Sequence, residues 1–428
     1  MLDAGDHSGA MAWVDSAFER DIESDEAVFA FATMMIEALH PGPAIYILRR
    51  LAEKHPKSVP AWRNLTKAYG EIGMAEEELS SAKKTYQLEA SPESAVALSN
   101  AYLHNDQWKQ ALRWADERLK SGESVQAEVN KGYAYLAKGE YGKGWDGLNE
   151  GVGFQIFRDK CDFSKIDWDL KEKARVLFSY EQGIGDQLCF LSALPDAIDD
   201  GIVAGITCTD KLVPLMQDTF DVPVFSHDYD GEFPGTHQSS ISSLVQVYRR
   251  ESFPGTPYLQ VDPDKALQWR ALFDTLPGMK VGVAWTGGMK GSHNYRLRNM
   301  AADEFLNLST PEHVVSLISL EYKPHEAIEG VHSFPWGTQG DMSQVAAMVS
   351  QLDAIVCVPT TVSHVAGALG VPCHVLCADR MHFWEQLPVW SSRSIHNRTP
   401  STMDRIRHEL RRNHSGGTGS PTLIAASG

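Results

Sequence analysis

The chain has 428 residues, of which 43% are hydrophobic and 22% are charged. This composition is typical of globular proteins and excludes the disordered and fibrous classes, and the length predicts two or three domains. The formal net charge of −17 argues against broad electrostatic binding to a nucleic-acid backbone or an anionic membrane.

The amino-terminal segment has neither the basic region nor the apolar region of a secretory signal. No apolar run approaches the roughly 20 residues that a membrane span requires. We therefore expect a cytoplasmic protein with no membrane span and no nucleic-acid partner. The six cysteines are scattered through apolar runs. Reduced core thiols are expected, and no metal site is predicted.

An internal repeat with a step of 33 residues occupies residues 26–157. One set in this register, Gly73, Asp106 and Gly139, lies where a turn between two helices is expected. Each unit therefore predicts a helix–turn–helix hairpin, and such hairpins bury their apolar faces only by stacking on neighbours. Three further sets keep the same register: Tyr69, Tyr102 and Tyr135; Ala68, Ala101 and Ala134; Leu79, Leu112 and Trp145.

The repeats predict an all-α solenoid over residues 1–153. This solenoid is either a stabilising scaffold or, on its concave face, a docking surface for a protein or for the next domain. The hairpins resemble the tetratricopeptide repeat, in which small residues allow the two helices to approach closely. The residues that carry this resemblance are Trp62, Leu65, Tyr69, Gly73, Ala82 and Pro92.

Residues 154–173 are interpreted as a linker, with Trp168 as a packing anchor. From residue 175 onwards, short apolar runs alternate with helical stretches, which predicts α/β structure with doubly wound parallel sheets. Two such series predict two Rossmann-like lobes, at 174–278 and 279–412, with a ligand cleft between them. The Gly/Ser-rich segment 413–428 predicts a flexible tail.

The first candidate site segment is SYEQGIGDQLCFLSALPDA at 179–197. A strand ends there, Gly183 and Gly185 permit a tight turn, and Asp186 opens a helix. An aspartate at this place is either a catalytic group or the common helix N-cap.

The second segment is VGVAWTGGMKGSHNYRLRN at 281–299, in which a strand leads into a loop. The loop supplies a hydroxyl, backbone donors and cations, which suit a diphosphate. The alternative is a solvated basic loop. The residues concerned are Thr286, Gly287, Lys290, Arg296 and Arg298.

The third segment is DAIVCVPTTVSHVAGALGVPCHVL at 353–376. Thr360 and Thr361 introduce a helix, and the free amides and dipole of a helix start favour an anion. His364 follows one turn later. A single histidine on a helix is more often a packed or capping residue than a ligand.

In this order, the three segments resemble the marker segments of glycosyltransferases of the ADP-heptose:lipopolysaccharide heptosyltransferase type, family nine. Together with the repeats, the chain resembles repeat-containing bacterial glycosyltransferases and, more loosely, the O-linked N-acetylglucosaminyltransferases. The resemblance covers residues 26 to about 400. It implies a GT-B fold, a nucleotide-sugar donor in the C-terminal lobe, an acceptor toward the N-terminal lobe, and neither metal nor cofactor.

The resemblance also implies roles for individual residues. Asp186 would be the general base. Thr286, with Lys290 or the pair Arg296 and Arg298, would face the donor phosphates, and Thr360, Thr361 and His364 would hold the nucleotide. The chain departs from the family at Pro359, where an aspartate is usual.

Two functions compete. The first is a metal-independent inverting glycosyltransferase that moves a sugar from a nucleoside-diphosphate donor to a glycan, lipid-linked or protein acceptor. Asp186 would deprotonate the acceptor hydroxyl while cations and helix amides stabilise the departing diphosphate. The alternative is a non-catalytic GT-B and tetratricopeptide scaffold or protein-interaction module. Pro359 favours the alternative, whereas Asp186 and the basic loop favour the enzyme.

Overall fold

The computed structural model describes residues 25–37, 41–149, 166–171, 173–229, 231–288, 298–378 and 390–415. Within these ranges, a helical region is followed by a region built on two parallel β-sheets. At this level the predicted fold class is confirmed. Among the described helices, none combines the length and apolar character that a bilayer span requires.

The helical region is a series of antiparallel hairpins. Consecutive helices contact one another along the whole series. The eight helices described in this region are α1 (Asp25–Glu37), α2 (Pro41–Lys54), α3 (Val59–Glu71), α4 (Ala75–Leu88), α5 (Pro92–Leu103), α6 (Trp108–Leu119), α7 (Val125–Ala137) and α8 (Tyr141–Leu148).

The turns between paired helices follow the repeat step. Gly73 (φ 75°), Asp106 (φ 55°) and Gly139 (φ 76°) all adopt the left-handed conformation. This confirms that the set marks the turn of each hairpin. Glycine adopts this conformation without a steric penalty, and aspartate tolerates it better than most residues do.

The starts of three helices follow the same step. The serine hydroxyl accepts a hydrogen bond from the amide three residues later at Ser58 (3.4 Å), Ser91 (3.2 Å) and Ser124 (3.3 Å). Such N-caps satisfy amides that have no partner within the helix.

The alanine set of the repeat also has a common environment. Ala68, Ala101 and Ala134 are all completely buried.

The first sheet has five parallel strands in the order β1-β5-β2-β3-β4. Its strands are β1 (Ile166–Asp167), β2 (Val176–Ser179), β3 (Val203–Cys208), β4 (Val224–Ser226) and β5 (His237–Ser240). The helices that follow these strands are α9 (Ile184–Leu191), α10 (Leu194–Asp199), α11 (Val213–Thr219) and α12 (Ser242–Tyr248).

The second sheet has six parallel strands in the order β11-β10-β9-β6-β7-β8. Its strands are β6 (Met279–Ala284), β7 (Val315–Ser319), β8 (Val331–Ser333), β9 (Ala354–Cys357), β10 (Cys373–Cys377) and β11 (Arg393–Asn397). The helices are α13 (Pro263–Phe273), α14 (Pro335–Thr338), α15 (Met342–Val349), α16 (Thr361–Leu369) and α17 (Thr402–Ser415), with a 3₁₀ helix at Ala302–Leu308.

One apolar core joins the three parts. It contains Trp145 from the last hairpin, Phe178 from the first sheet and Ile355 from the second sheet. A separate core lies on the other face of the second sheet, where Ile406 and Leu410 of α17 pack against its strands. Helices α9 and α16 contact each other between the two sheets.

The predicted linker is more ordered near its end than expected. Trp168 is buried and its ring meets that of Phe178 edge-on, with centroids 5.7 Å apart, so it is a packing anchor. Just before it, Ile166–Asp167 forms an edge strand that pairs with β5. The backbone of this strand extends the first sheet, a role that a two-residue apolar pattern does not reveal.

The lobe boundary at 278 and the other domain limits stay predictions. Helix α13 precedes that boundary in sequence but packs on α15, and its Trp269 stacks on Trp336 with centroids 4.2 Å apart. Helix α17 ends at Ser415, inside the predicted tail. Residues 416–428 lie outside the described part of the chain.

Candidate functional site

The first candidate segment forms the turn from β2 into α9. The left-handed residue of this turn is Gln182 (φ 60°), whereas Gly183 has a φ of −78° and is the N-cap of α9. Neither predicted glycine is therefore the left-handed residue of this turn. Gln187, completely buried in the next turn, donates from Nε2 to the Gln182 carbonyl at 3.2 Å and helps hold this conformation.

Asp186 lies in the first turn of α9. Its Oδ2 accepts a hydrogen bond from the Gly183 amide at 3.1 Å, so the carboxylate caps the helix from within instead of occupying the N-cap position. The negative charge is also placed where the helix dipole favours it. The side chain is half-buried.

Gly185 has a packing role that the sequence does not reveal. A Cβ atom at this position would lie 3.0 Å from Cδ2 of His364, on α16 of the second sheet. The absence of a side chain lets α9 and α16 approach closely. The structure thus brings the first and third candidate segments together.

His364 is buried between these helices. Its Nδ1 accepts a hydrogen bond from Nε1–H of Trp390 at 3.3 Å, so the proton of the neutral ring is assigned to Nε2. Burial, reinforced by the positive charges of Arg393 and Arg298, lowers the pKa of His364 to about 3. The ring is neutral at pH 7 and packs as an apolar group with one N–H donor.

The second candidate segment follows β6, and its predicted phosphate hydroxyl has another partner. Glu321 follows the neighbouring strand β7, and its Oε1 accepts from the amides of Trp285 and Thr286, both at 2.7 Å. Its Oε2 accepts from the Thr286 hydroxyl. Glu321 is 5% exposed, whereas Thr286 is half-buried.

Gly287 is in tight contact with the third segment. A Cβ atom there would lie 2.2 Å from the Pro359 carbonyl oxygen and 3.1 Å from that of Arg298. The loops after β6 and β9 therefore touch, as expected for neighbouring strands that end at the same edge. Lys290 and Arg296 lie outside the described residues.

The third segment begins α16 as predicted. Thr360 is the N-cap, but its hydroxyl makes no capping hydrogen bond; instead its carbonyl accepts from the amide (3.0 Å) and hydroxyl (2.8 Å) of Ser363. Thr360 and Thr361 are both half-buried. The start of α16 lies at the carboxyl edge of the second sheet, beside Gly287 and Arg298.

Two buried acidic residues escaped the sequence analysis. Glu181 follows β2 and is completely buried; its Oε1 accepts from the Ser242 amide at 2.9 Å, and burial raises its pKa despite hydrogen bonds from Ser242 and Ser240. Glu321 follows β7 in the same way. A Ser-x-Glu pattern, Ser179-Tyr180-Glu181 and Ser319-Leu320-Glu321, marks both positions and is the signal that could have identified them.

No protein-family model matches the chain. Among curated proteins, it is similar to Protein FlbA of Caulobacter vibrioides (strain ATCC 19089 / CIP 103742 / CB 15), with 25% identity over 401 residues. The match covers 81% of this chain and 64% of FlbA, so the chain spans less than two thirds of that relative's length.

Solved structures resemble about a third of the chain. One is a crystal structure of MamA, with 16% identity, 35% of this chain and 89% of MamA covered, and a TM-score of 0.30. Another is YrrB, whose structure is described as that of a TPR protein with an unusual peptide-binding site. The identity is 16%, the match covers 32% of this chain and 74% of YrrB, and the TM-score is 0.28.

A third is a tetratricopeptide repeat protein from Parabacteroides merdae ATCC 43184. The identity is 17%, the match covers 38% of this chain and 63% of that protein, and the TM-score is 0.31. At these similarities the chain is best described by its own architecture, a helical repeat region followed by a parallel-sheet α/β region.

Proposed function

We propose that this protein is a protein-interaction module, in which helical repeats of the tetratricopeptide kind bind a protein partner and the α/β region serves as a non-catalytic base. The observation that carries the proposal is that Thr286 donates hydrogen bonds to the carboxylate of Glu321. The hydroxyl expected to face donor phosphates instead hydrogen-bonds a buried carboxylate, which also accepts from the Thr286 amide. A diphosphate placed there would meet a negative charge and would have to displace existing hydrogen bonds.

The contact between the loops after β6 and β9 supports the same proposal. These strands flank the point where the order of the second sheet reverses, which is the usual place for a ligand in open α/β sheets. Here Gly287 packs on the carbonyl of Pro359. Gly287 and Pro359 therefore fill part of the crevice in which a nucleotide would lie.

The attachment of the repeats also supports the proposal. Trp145 of α8 donates from Nε1 to the Arg249 carbonyl at 3.0 Å, and Arg250 forms two hydrogen bonds with Asp146, at 2.8 and 2.9 Å. The Arg250 guanidinium lowers the pKa of Asp146. The repeats are thus fixed to the α/β base, and a partner bound to them would be held in a defined orientation.

A photo-crosslinking experiment tests the interaction surface. The photoreactive residue p-benzoylphenylalanine replaces Tyr46, which is 38% exposed on α2, or in a control Leu267, which is 61% exposed on α13. Irradiation in cells of the source organism should give a discrete crosslinked protein with the label at Tyr46 and not at Leu267. Identical products at both positions, or none at Tyr46, would argue against the repeats as the docking region.

Glycosyl transfer is the second candidate, and one observation favours it. The second sheet, counted from β6, has the order 3-2-1-4-5-6 of doubly wound nucleotide-binding folds, and the Gly185–His364 contact brings α9 with Asp186 next to α16. In a GT-B enzyme, Asp186→Asn would keep a capping oxygen but remove the base. Transfer should then slow by about a hundredfold or more without loss of folding. Unchanged transfer by this variant would exclude Asp186 as the base.

A further inference from the structure

Three side chains that can ligate a metal meet beside β11, at the edge of the second sheet. In the strand register, His374 lies opposite Ser394 and His396 lies opposite Leu376, so the two histidines stand two positions apart on one face of the sheet. Both are buried, with 6% and 8% of their surface exposed. Helix α17 covers this face and contributes Glu409.

The ligand atoms converge. Nδ1 of His374 lies 3.0 Å from Nε2 of His396 and 3.6 Å from Oε2 of Glu409. One ligand atom from each of the three residues lies within 4.8 Å of the other two. Atoms bound to a tetrahedral zinc ion at about 2.0–2.1 Å stand roughly 3.3 Å apart. The two measured distances lie on either side of that value.

A simple hydrogen bond accounts for only part of this arrangement. One proton between His374 Nδ1 and His396 Nε2 would join the two rings, but the carboxylate oxygen at 3.6 Å would be too distant for a hydrogen bond with the same nitrogen. A divalent cation would satisfy all three atoms at once. Imidazole nitrogen and carboxylate oxygen are ordinary zinc ligands.

We propose that His374, His396 and Glu409 bind a zinc ion, with water as the fourth ligand. The ion would fasten α17 to the strands that it covers. The proposal does not depend on the proposed function, because the site lies on the face of the second sheet covered by α17, whereas the candidate site lies in the loops beyond its strands.

The test uses the full-length protein, stripped of metal with EDTA and dialysed. Zinc chloride is titrated by calorimetry, and the melting temperature is measured with and without zinc. Cobalt(II) replaces zinc in a parallel sample, because its visible absorption reports tetrahedral coordination. The variant Glu409→Gln removes the ligand charge with little change in size. The matched control is His408→Ala, since His408 is exposed and adjacent on the same helix.

The proposal predicts one zinc ion per chain, a zinc-dependent rise in melting temperature and a tetrahedral cobalt spectrum. Glu409→Gln should weaken zinc binding at least tenfold and keep the metal-free melting temperature, and His408→Ala should behave as wild type. A second group that could ligate metal, Asp210, His227 and Asp228, provides the counter-test. Binding unaffected by Glu409→Gln, binding lost in Asp210→Asn, or no binding by the wild type would overturn the proposal.

Discussion

Glu321 links two neighbouring strand ends by accepting hydrogen bonds from Trp285 and Thr286. Glu321→Ala would leave buried donors without partners, and each such group costs about 1–3 kcal/mol. We expect the free energy of unfolding, measured with urea, to fall by at least that amount.

Two further variants serve as controls for this measurement. Glu321→Gln keeps one oxygen for the amides and should lose less stability than Glu321→Ala. Glu326→Ala, at an exposed position of the following loop, should remain within about 0.5 kcal/mol of wild type. Equal effects of the Ala variants at 321 and 326 would show that the Glu321 hydrogen bonds contribute nothing to stability.

Glu181 makes stability depend on pH. Because burial raises its folded pKa above the ordinary value of 4.5, the folded protein binds this proton more tightly than the unfolded chain does. Its contribution to stability is therefore complete below pH 4.5 and is lost as the pH rises through the folded pKa. The variant Glu181→Gln is uncharged at this position at every pH. The free energy of unfolding of the wild type, minus that of Glu181→Gln, should therefore be larger at pH 5 than at pH 8.

Urea unfolding of both proteins at the two pH values measures this difference. Glu251→Gln, at an exposed position, is the matched control. A difference between wild type and Glu181→Gln that stays constant, or that grows with pH, would contradict the raised pKa.

At the scale of elements, close contact between α7 and α8 depends on small residues. A Cβ atom on Gly144 would lie 2.3 Å from Cγ of Leu136, whereas one on Gly42 in α2 would meet nothing within 4 Å. Gly144→Ala should therefore destabilise the fold by about 1–3 kcal/mol through overpacking. Gly42→Ala should be neutral or slightly stabilising, because alanine favours helix. Urea unfolding checks both, and equal effects would contradict the close packing.

The repeats and the apolar strands were predictable from the sequence because both are periodic. The 33-residue step located the turns at Gly73, Asp106 and Gly139, and apolar runs located strands such as β3 and β9. Strand β5 has the sequence His-Gln-Ser-Ser and was missed. Its backbone pairs with β1 and β2 on both sides, and its polar side chains are buried. The strand forms because its backbone hydrogen-bonds to residues distant in sequence, and no local sequence pattern encodes such pairing.

The candidate segments follow strand ends, as their sequence patterns predicted, but their contacts were not predictable. Parallel strands end at one edge of a sheet, and the segments that follow β6 and β9 meet there, where Gly287 touches Pro359. The partners of Thr286 and Gly185 come from β7 and α16, which are distant in sequence. Residue type alone therefore suggested phosphate binding for Thr286, whereas the fold supplies a carboxylate.

At the scale of the whole molecule, the last hairpin of the repeats and the two sheets contribute to one apolar core. Trp145 is 2% exposed and inserts from α8 into that core, next to Phe253. The last hairpin is therefore packed into the α/β region. This arrangement suits a module that holds a partner in a fixed position relative to its base.

The most direct test of this account is a calorimetric titration of the full-length protein with ADP, UDP, GDP, CDP and dTDP. If the contacts of Thr286 with Glu321 and of Gly287 with Pro359 take the place of a nucleotide, none of the five should give saturable heat. Saturable binding of any of them, weakened roughly tenfold or more by Arg298→Ala as expected for loss of a charged hydrogen bond, would contradict the interaction module and favour the glycosyltransferase.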